Sequence, residues 1–254
     1  MPDPTAGLRL DGAVALVTGA TRGLGAAVAR LFASRGAALA LVARDGGLLR
    51  TQARALLAAG APDVLPVPAD LADPQAPARV ASGVRDRFGR LTCLVNNAGR
   101  LGPRVPIADY PEAEWDATLA VNLTAPFRLV KACLPMLRAE PPRFASILNV
   151  SSGVGRTGKA RWGAYAVSKF GIEGLTQVLA AETDGRGLVV LAVNPGPTRT
   201  AMRAAAYPQE DPASVAPPEE VARVFLWCAA HPDARDRHGA SLDAPALLAG
   251  WRAD

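Results

Sequence analysis

Short apolar runs alternate with longer amphipathic stretches along nearly the whole chain, and this alternation constrains the fold more than any other feature. The first run, Ala13-Val-Ala-Leu-Val-Thr18, is almost continuously apolar, as is typical of a strand buried on both faces of a sheet. Strand–helix alternation predicts βαβ units, and hence a parallel sheet with helices on both faces. With no linker or internal repeat in 254 residues, we expect one α/β domain over residues 1–254.

The same pattern gives the bounds of the expected elements. Strands are expected at 13–18, 37–43, 64–69, 91–96, 144–150, 188–193 and 240–243. Helices are expected at 25–34, 46–59, 77–88, 112–137, 164–182 and 219–230, with about one helical turn and a lid-like loop over 201–218. In such a sheet ligands bind beyond the carboxyl ends of the strands, where most of the motifs below lie.

Composition excludes several classes of function. Half of the residues are hydrophobic, which is enough for a large core. Cys93, Cys133 and Cys228 lie in apolar segments and are predicted to be buried free thiols. The two histidines, His231 and His238, have no cysteine at metal-ligand spacing, so neither a metal site nor a histidine-based catalytic triad is expected.

The N-terminus and the charge pattern predict a cytoplasmic protein without membrane or nucleic-acid partners. Residues 1–5 lack the basic start and apolar run of a signal peptide, and no apolar stretch approaches the length of a membrane span. The net charge is +5 and the isoelectric point about 9.6, but no block of consecutive basic residues occurs, whereas nucleic-acid binders cluster their charge.

The turn after the first strand, Thr18-Gly-Ala-Thr-Arg-Gly-Leu-Gly25, is rich in glycine. Glycine lets backbone approach a ligand closely, and the following helix offers its N-terminal amides to a pyrophosphate. The Gly-x3-Gly-x-Gly spacing differs from the commonest dinucleotide fingerprint, and strand-to-helix turns also need glycine for geometry alone. Its place after the first buried strand favours a dinucleotide site over a bare turn.

Two arginines favour NADP(H) over NAD(H) as the dinucleotide. The second strand ends at Ala43-Arg44, where an acidic residue usually holds the free ribose hydroxyls of NAD. Arg22 lies in the glycine turn, which folds toward the same place. Two guanidiniums suit a 2′-phosphate. The alternatives are that both arginines are solvated, or that Arg44 pairs with Asp45.

Tyr165 and Lys169, in the run Gly163-Ala-Tyr-Ala-Val-Ser-Lys169, lie four residues apart and therefore on one face of a predicted helix. A lysine ammonium favours the phenolate, and a tyrosine whose pKa is lowered toward neutrality can exchange a proton with an alcohol oxygen. Ser152 precedes the tyrosine by thirteen residues. The alternative is a helical tyrosine beside a solvated lysine.

The chain resembles the short-chain dehydrogenase/reductase family, in its single-domain branch, over nearly its whole length. The landmarks stand in order: Thr18-Gly-x3-Gly-x-Gly25, Asp70-Leu71, Asn96-Asn-Ala-Gly99, Asn122, Ser152, Tyr165-x3-Lys169 and Asn194-Pro-Gly196. Residues 153–165 and 194–203 are similar to the YciK-type oxidoreductases of bacteria. The resemblance implies a Rossmann-type, doubly wound, seven-stranded parallel sheet, and an NADP(H)-dependent oxidoreductase acting on a small-molecule carbonyl or secondary alcohol.

The resemblance also implies catalytic roles. Tyr165 is expected to be the general acid in reduction and the base in oxidation. Lys169 is expected to bind the nicotinamide ribose and lower the tyrosine pKa. Ser152, rather than the adjacent Ser151, is expected to hydrogen-bond the substrate oxygen. Asn122 is expected to bend its helix and hold a water in a proton relay.

Further residues are expected to bind the cofactor, while Asn96 is expected to stabilise the sheet. Asp70 is expected to accept from the adenine amino group, although it is equally placed to cap the following helix. The expected cofactor-binding residues are Gly19, Thr21, Arg22, Gly23, Leu24, Gly25, Arg44, Asp70, Leu71, Asn97, Ala98, Gly99, Tyr165, Lys169, Pro195, Gly196, Thr198 and Thr200.

The substrate pocket is predicted to be mainly apolar. The expected substrate-facing residues are Leu101, Gly102, Val154, Gly155, Trp162 and residues 202–207. Arg156, Lys159 and Arg161 lie on the loop before the tyrosine, where they either attract an acidic substrate or carrier, or are simply solvated.

The end of the chain departs from the family. Many members have a Val-Asp-Gly-Gly run after the last strand, whereas this chain has Ser241-Leu-Asp-Ala-Pro245. The departure puts a homotetramer in doubt, while the apolar faces of the tyrosine helix and of the preceding long helix favour at least a homodimer. A carbonyl reductase is the leading hypothesis. The alternatives are a 3-ketoacyl-thioester reductase of the acyl-carrier-protein type and a non-enzymatic NADP-sensing regulator.

Overall fold

A computed structural model describes residues 3–138, 144–184 and 186–252. Within them, seven strands form one parallel sheet in the order β3-β2-β1-β4-β5-β6-β7. The strands are β1 (Val14–Thr18), β2 (Ala38–Ala43), β3 (Val64–Pro68), β4 (Cys93–Asn96), β5 (Ala145–Val150), β6 (Leu188–Asn194) and β7 (Ser241–Asp243). The strand order reverses direction between β1 and β4, the switch point of a Rossmann-type, doubly wound sheet. The predicted fold class is confirmed.

Helices connect the strands and cover both faces of the sheet. They are α1 (Gly23–Ser34), α2 (Gly46–Ala58), α3 (Ala76–Phe88), α4 (Glu112–Leu119), α5 (Ala125–Cys133), α6 (Gly163–Thr183), α7 (Ala201–Ala206), α8 (Pro218–Ala230) and α9 (Ala244–Arg252). Most bounds lie within two residues of the predicted ones, because the strands and helices differ clearly in hydrophobic period.

The single helix expected at 112–137 is interrupted. A π-helical turn over Ala120–Thr124 separates α4 from α5, and a 3₁₀ turn over Leu134–Met136 follows α5. Pro126 explains the wide turn, since proline has no N–H to donate to the carbonyl of Asn122 and its ring collides with that carbonyl in a regular helix. Such π turns are frequent at functional sites, and this one contains the buried Asn122.

The hydrophobic core lies on both faces of the sheet. Ala15 and Val17 of β1 pack toward the layer formed by α1, α8 and α9. Val14 and Leu16, which alternate with them, pack toward the layer formed by α3 and α5. Every residue of β1 is buried, as the continuous apolar run predicts for a strand covered on both sides.

Helix α9 was not predicted from the sequence. Its buried residues Ala244 and Leu248 join the core beside α8, and Leu247 and Trp251 pack against the same core. The spacing of these four residues is that of an apolar helical stripe, so the pattern contained the signal. The segment that departs from the family thus covers the chain's own core.

Three further features bear on the predictions made from composition. Cys93, Cys133 and Cys228 are buried and unpaired, as predicted. No helix in the described ranges is both long and apolar enough to cross a membrane. Over the same ranges, no cluster of three or more His, Cys, Asp or Glu side chains is placed to hold a metal ion.

Candidate active site

Thr18, at the end of β1, ties together the two loops that flank the switch point. Its hydroxyl accepts hydrogen bonds from the backbone N–H groups of Asn97 and Ala98, both at 2.9 Å, and donates to the carbonyl of Val95 at 3.2 Å. The Asn97 side chain donates back to the Thr18 carbonyl at 2.7 Å. The glycine turn and the loop after β4 therefore form one rigid edge of a cleft.

The glycine turn is packed too closely for side chains. A Cβ on Gly25 would lie 2.4 Å from the Gly19 carbonyl oxygen and 2.4 Å from the Asn97 amide nitrogen. Helix α1 begins directly after Arg22, whose side chain forms no capping hydrogen bond. The N-terminal amides of α1 thus face the turn without a side-chain cap, an arrangement that suits a phosphate group. Of the other expected turn residues, Thr21 is half-buried and Leu24 is buried in the core.

Arg22 and Arg44 emerge from neighbouring strand ends. Thr18 pairs with Val42 in the register of β1 and β2, so the residues that follow these strands share one edge. Both arginines are exposed, and no ion-pair partner for either is found among the residues the structure describes. Asp45 caps α2 by accepting from the Leu48 N–H at 2.9 Å, so the alternative pairing of Arg44 with Asp45 is not realised.

Asp70 and Leu71 lie where β3 ends. The Asp70 carboxylate accepts from the Ala72 N–H at 3.0 Å, whereas α3 begins later, with Gln75 at its N-cap. The alternative role of Asp70 as a helix cap is therefore not realised. Its side chain is exposed at the sheet edge, while Leu71 is buried.

Asn96 holds the sheet together rather than facing the cleft. Its side-chain amide donates to the Asn149 oxygen at 2.8 Å, and the Asn149 amide donates to the Thr176 hydroxyl at 3.0 Å. All three side chains are buried. These hydrogen bonds link β4, β5 and α6, which agrees with the structural role predicted for Asn96.

Asn122 clamps the loop after β4 to the tyrosine helix. Its side-chain oxygen accepts from the Arg100 N–H at 2.8 Å, and its amide donates to the Arg100 carbonyl at 2.8 Å. The same amide donates to the Ser168 hydroxyl at 3.1 Å, and that hydroxyl donates to the Tyr165 carbonyl at 2.7 Å. The predicted distortion of the helix at Asn122 is present, and the side chain positions the backbone at Tyr165.

Tyr165, Ser152 and Lys169 come together at the start of α6. The Ser152 side chain hydrogen-bonds the Tyr165 phenol. Lys169, one turn further on, is buried with its ammonium 5.6 Å from the centre of the Tyr165 ring, and it donates to the Val150 carbonyl at 2.7 Å. Ser151 points elsewhere, since its hydroxyl donates to the buried Glu173. The structure thus places Ser152, not Ser151, beside the tyrosine.

The pKa of Tyr165 departs from the prediction. Burial raises the pKa of the phenol above its ordinary value, and the hydrogen bond from Ser152 opposes this rise only in part. Burial lowers the pKa of Lys169 to about 8, against the raising effect of the Glu173 carboxylate. The expected lowering of the tyrosine pKa by Lys169 is therefore wrong for this structure, because desolvation of the phenol dominates. At neutral pH the tyrosine is a phenol that can donate a proton.

Glu173 is a buried carboxylate that was not among the predicted site residues. It lies four residues after Lys169 on α6, accepts from Ser151, and lies 3.4 Å from the Arg156 Nε. Arg156 also donates to the Ser241 hydroxyl at 2.6 Å and to the Leu242 carbonyl at 2.9 Å. Arg156 is therefore bound to Glu173 and to β7, although its side chain stays partly exposed to solvent. Glutamate four residues from a lysine was the available signal.

Replacing Glu173 by glutamine is expected to move the alkaline limit of activity to lower pH. The Glu173 charge holds the pKa of Lys169 up against desolvation, so its removal lets that pKa fall further and the ammonium is lost at lower pH. The measurement is a pH profile of turnover for Glu173→Gln. Glu182→Gln, which removes an exposed carboxylate from the same helix, is the control. The expectation would be contradicted if the wild type, Glu173→Gln and Glu182→Gln had the same pH profile of turnover.

The loop after β6, residues 195–200, which we call the floor, lies at the same edge of the sheet as the glycine turn. The Gly196 N–H donates to the Asn194 side-chain oxygen at 3.1 Å, and the Asn194 amide donates to Asp243 at 2.9 Å. Gly196 has a φ of +68°, and a Cβ on it would lie 2.3 Å from the Pro245 ring. Only glycine fits here. The floor is thus supported by the unusual C-terminal run.

Thr198 and Thr200 belong to this floor. Thr198 is buried and its hydroxyl donates to the carbonyls of Pro195 and Gly196, both at 3.2 Å. Thr200 caps the short helix α7 by accepting from the Arg203 N–H at 3.2 Å, and its methyl group lies 3.2 Å from where a Cβ on Gly23 would be. The segment before α7 therefore lies against the glycine turn.

An aromatic cluster stands beside Tyr165. The Trp162 ring centre lies 5.6 Å from that of Tyr165 and 6.0 Å from that of Tyr207. Leu101, Val154 and Ala206 belong to the same cluster, so five of the expected substrate-facing residues meet there. Gly155 does not: it is buried against the Lys169 backbone, 2.8 Å from where a Cβ would lie. Gly102 lies against the Tyr110 and Thr118 hydroxyls.

Comparisons with known proteins decide the family. The sequence profile of the short chain dehydrogenases matches residues 13–211, most of the chain. The chain belongs to the short-chain dehydrogenase family. It is 36% identical over 237 residues, 92% of each chain, to the uncharacterised oxidoreductase YciK of Escherichia coli strain K12, in agreement with the predicted YciK-type resemblance. This short-chain dehydrogenase is therefore an oxidoreductase.

Solved structures of other short-chain dehydrogenases have the same fold. One from Shigella flexneri 2a, complexed with NADP, has a TM-score of 0.88 and 36% identity, covering 93% of this chain and 98% of that one. One from Escherichia coli CFT073, complexed with NADPH, has a TM-score of 0.86 and 37% identity, covering 92% of this chain and 97% of that one.

Proposed function

We propose that this short-chain dehydrogenase is NADP(H)-dependent and transfers a hydride between the nicotinamide and a carbonyl or secondary alcohol, with Tyr165 as general acid and base. The observation that carries the proposal is the meeting of Tyr165, Ser152 and Lys169 at one end of the cleft that begins at the glycine turn. The bound cofactor supplies the hydride.

The protonated form of Tyr165 favours the direction of carbonyl reduction. A phenol with a raised pKa holds its proton at neutral pH and donates it to the oxygen on which negative charge develops. Ser152 is proposed to donate a hydrogen bond to the same oxygen. Lys169 is proposed to hold the nicotinamide ribose through its ammonium, and Asn122 to keep the loop after β4 in register with α6 and to hold the relay water.

The cofactor-binding residues are proposed from the fit of the cleft. The uncapped start of α1 and the closely packed glycines suit the pyrophosphate. Asp70 and Leu71 are proposed to receive the adenine, the loop 97–99 the adenosine ribose, and the floor at 195–200 the nicotinamide. Arg22 and Arg44 are proposed to bind the 2′-phosphate, because both are exposed at one sheet edge. The relatives complexed with NADP and NADPH support the same choice.

Arg44→Ala is expected to weaken NADPH binding about tenfold or more and to leave NADH binding unchanged, because a charge-assisted contact to phosphate contributes roughly 1.5–3 kcal/mol. The measurement is a fluorescence titration of both cofactors. Arg54→Ala, which removes an exposed arginine further along α2, is the matched control. NADH binding as tight as NADPH in the wild type would overturn the assignment to NADP(H). Binding of neither would count against the oxidoreductase itself.

Two alternative activities are separated by direct tests. A 3-ketoacyl-thioester reductase predicts that acetoacetyl thioesters are turned over far faster than simple ketones. An NADP-sensing regulator predicts cofactor binding without turnover. The retained Tyr165, with Ser152 beside it, favours an enzyme over a regulator, since binding the cofactor alone needs no proton donor.

We also propose a cytoplasmic protein that forms at least a homodimer. Large apolar side chains are exposed on the outer faces of α5 and α6, namely Phe127, Val167, Phe170 and Val178. A second copy packed on these faces removes them from water. Light scattering on the purified protein distinguishes a dimer from a tetramer or a monomer.

A further inference from the structure

Two cations stand against the aromatic cluster, outside the catalytic residues. The guanidinium carbon of Arg104 lies 4.7 Å from the Trp162 ring centre and 5.1 Å from that of Tyr207. The Lys159 ammonium lies 5.5 Å from the Tyr207 ring centre and donates to the Tyr207 hydroxyl at 3.1 Å. Since the Trp162 ring is in turn 5.6 Å from that of Tyr165, Arg104 is one aromatic ring away from the proposed proton donor.

These cations have no carboxylate partner in the described part of the chain. Arg203, which also stacks on Tyr207, differs: it is paired with Glu210 through hydrogen bonds of 2.6 and 2.5 Å. Arg104 instead donates one N–H to the Ala206 carbonyl, and its buried Nε has no acceptor within the described ranges. Among the residues that the structure describes, a carboxylate thus neutralises one of the three cations around Tyr207, while Arg104 and Lys159 have no carboxylate partner.

A second unpartnered donor lies in the same cluster. Trp162 is only 6% exposed, and its buried indole N–H has no acceptor among the described residues. Buried donors in proteins are almost always satisfied, and leaving one unpaired costs about 1–3 kcal/mol. The Arg104 and Trp162 donors therefore indicate a site for a ligand with acceptor oxygens. The positive charge beside them indicates that the ligand is an anion.

We propose that the substrate is a compact oxo acid, whose carboxylate binds Arg104 and Lys159 while its carbonyl faces Tyr165 and Ser152. This inference rests on the proposed oxidoreductase function and names the substrate class. A phosphate on a pantetheine thioester is the other source of negative charge. The short distance favours the carboxylate, because the whole pantetheine arm separates that phosphate from the oxo group, whereas Arg104 is one ring from Tyr165.

The test uses levulinate and its uncharged methyl ester as probes. Each is titrated calorimetrically into the protein–NADP⁺ complex and is also assayed as a substrate with NADPH. The wild type is expected to bind levulinate about tenfold or more tighter than the ester, and Arg104→Gln to lose that preference without changing ester binding. Arg104→Lys, which keeps the charge, is expected to retain part of it. Arg161→Gln, which neutralises an exposed arginine on the loop that carries Lys159, is expected to behave as the wild type.

The outcomes separate the inference from the function on which it rests. Equal binding of acid and ester, binding of neither, or a preference that survives in Arg104→Gln overturns the oxo-acid proposal, even where other ketones are reduced. Acetoacetyl pantetheine with and without its phosphate tests the other anion. The oxo-acid proposal is also overturned if the protein prefers the phosphorylated form through Arg104 but does not prefer levulinate to its methyl ester. Failure to bind NADP⁺, or to reduce any carbonyl, counts instead against the proposed function.

Discussion

Tyr165→Phe is expected to lower the rate of carbonyl reduction by about 10³-fold while leaving NADPH affinity nearly unchanged. General acid–base catalysis contributes roughly 10²–10⁴-fold to such reactions, and this substitution removes the phenol hydroxyl, with its proton and its hydrogen bond to Ser152. The ring stays, so the contact with Trp162 at 5.6 Å and the packing of α6 are kept. Single-turnover oxidation of NADPH, followed by absorbance with saturating ketone, measures the proton-dependent step directly.

Tyr207→Phe is the matched control for this loss. It also removes one phenol hydroxyl from the same cluster, the one that accepts from Lys159 at 3.1 Å, but that hydroxyl is not hydrogen-bonded to Ser152. We expect at most a severalfold effect on turnover. A Tyr165→Phe protein that reduces ketones as fast as the wild type would remove the assignment of Tyr165. If neither the wild type nor Tyr165→Phe turned over while both still bound NADPH, the regulator hypothesis would gain support.

The sheet could be predicted from the sequence because its information is local. A strand buried on both faces must be apolar at every position, as β1 is, and helices of a different period separate the strands. The interruption between α4 and α5 was visible only as Pro126, whose effect depends on a missing hydrogen bond to Asn122. The family resemblance anticipated that Asn122 distorts its helix, but hydrophobic period alone predicts one continuous helix.

The site could be predicted only where its residues form a motif. Ser152, Tyr165 and Lys169 have a fixed spacing, and the structure brings them together. The residues that support them have no such spacing. Thr18 acts through a loop almost eighty positions away, and Arg104 meets Trp162 only because the loop after β4 crosses the start of α6. Such long-range contacts depend on tertiary packing and leave no local pattern.

Titration is the property that the sequence predicted least well. A lysine one turn from a tyrosine implies a lowered tyrosine pKa by charge alone. In the structure, burial raises the pKa of Tyr165 and lowers that of Lys169 to about 8. Desolvation depends on how completely the surrounding elements cover each group, which spacing does not report. The same effect of burial acts on the three cysteines, with a large consequence for stability.

Above pH 9 the free energy of unfolding is expected to fall steeply. Burial raises the pKa of Cys93 and of Cys133 to about 12, from an ordinary value of 9.0, and raises that of Cys228 as well. A raised folded-state pKa stabilises the fold below pH 9, and this contribution is lost as pH rises, because only the unfolded chain releases its thiol protons. Each thiol then lowers stability by about 1.4 kcal/mol per pH unit.

Lys169 opposes this loss in part. Its pKa of about 8 lies below the ordinary 10.5, so between these values the unfolded chain holds more protons and stability rises with pH. One of the three thiol contributions is thereby cancelled, and the net slope between pH 9 and 10 is about −3 kcal/mol per pH unit. Because single domains are stable by only about 5–15 kcal/mol, this slope brings the protein close to unfolding within a few pH units.

The measurement is urea unfolding at closely spaced pH values from 8 to 10 under reducing conditions. Cys228→Ala is expected to lower stability at every pH, because it leaves a cavity in the core. It is also expected to make the fall of stability with pH less steep by the contribution of one thiol, about 1.4 kcal/mol per pH unit. Lys169→Met is expected to make the same fall steeper by about 1.4 kcal/mol per pH unit, because the opposing contribution of the lysine is lost. The slope separates titration from packing, since a cavity shifts the curve without tilting it. A wild-type curve that stays flat through pH 10 would show that the thiols are not desolvated as their burial requires.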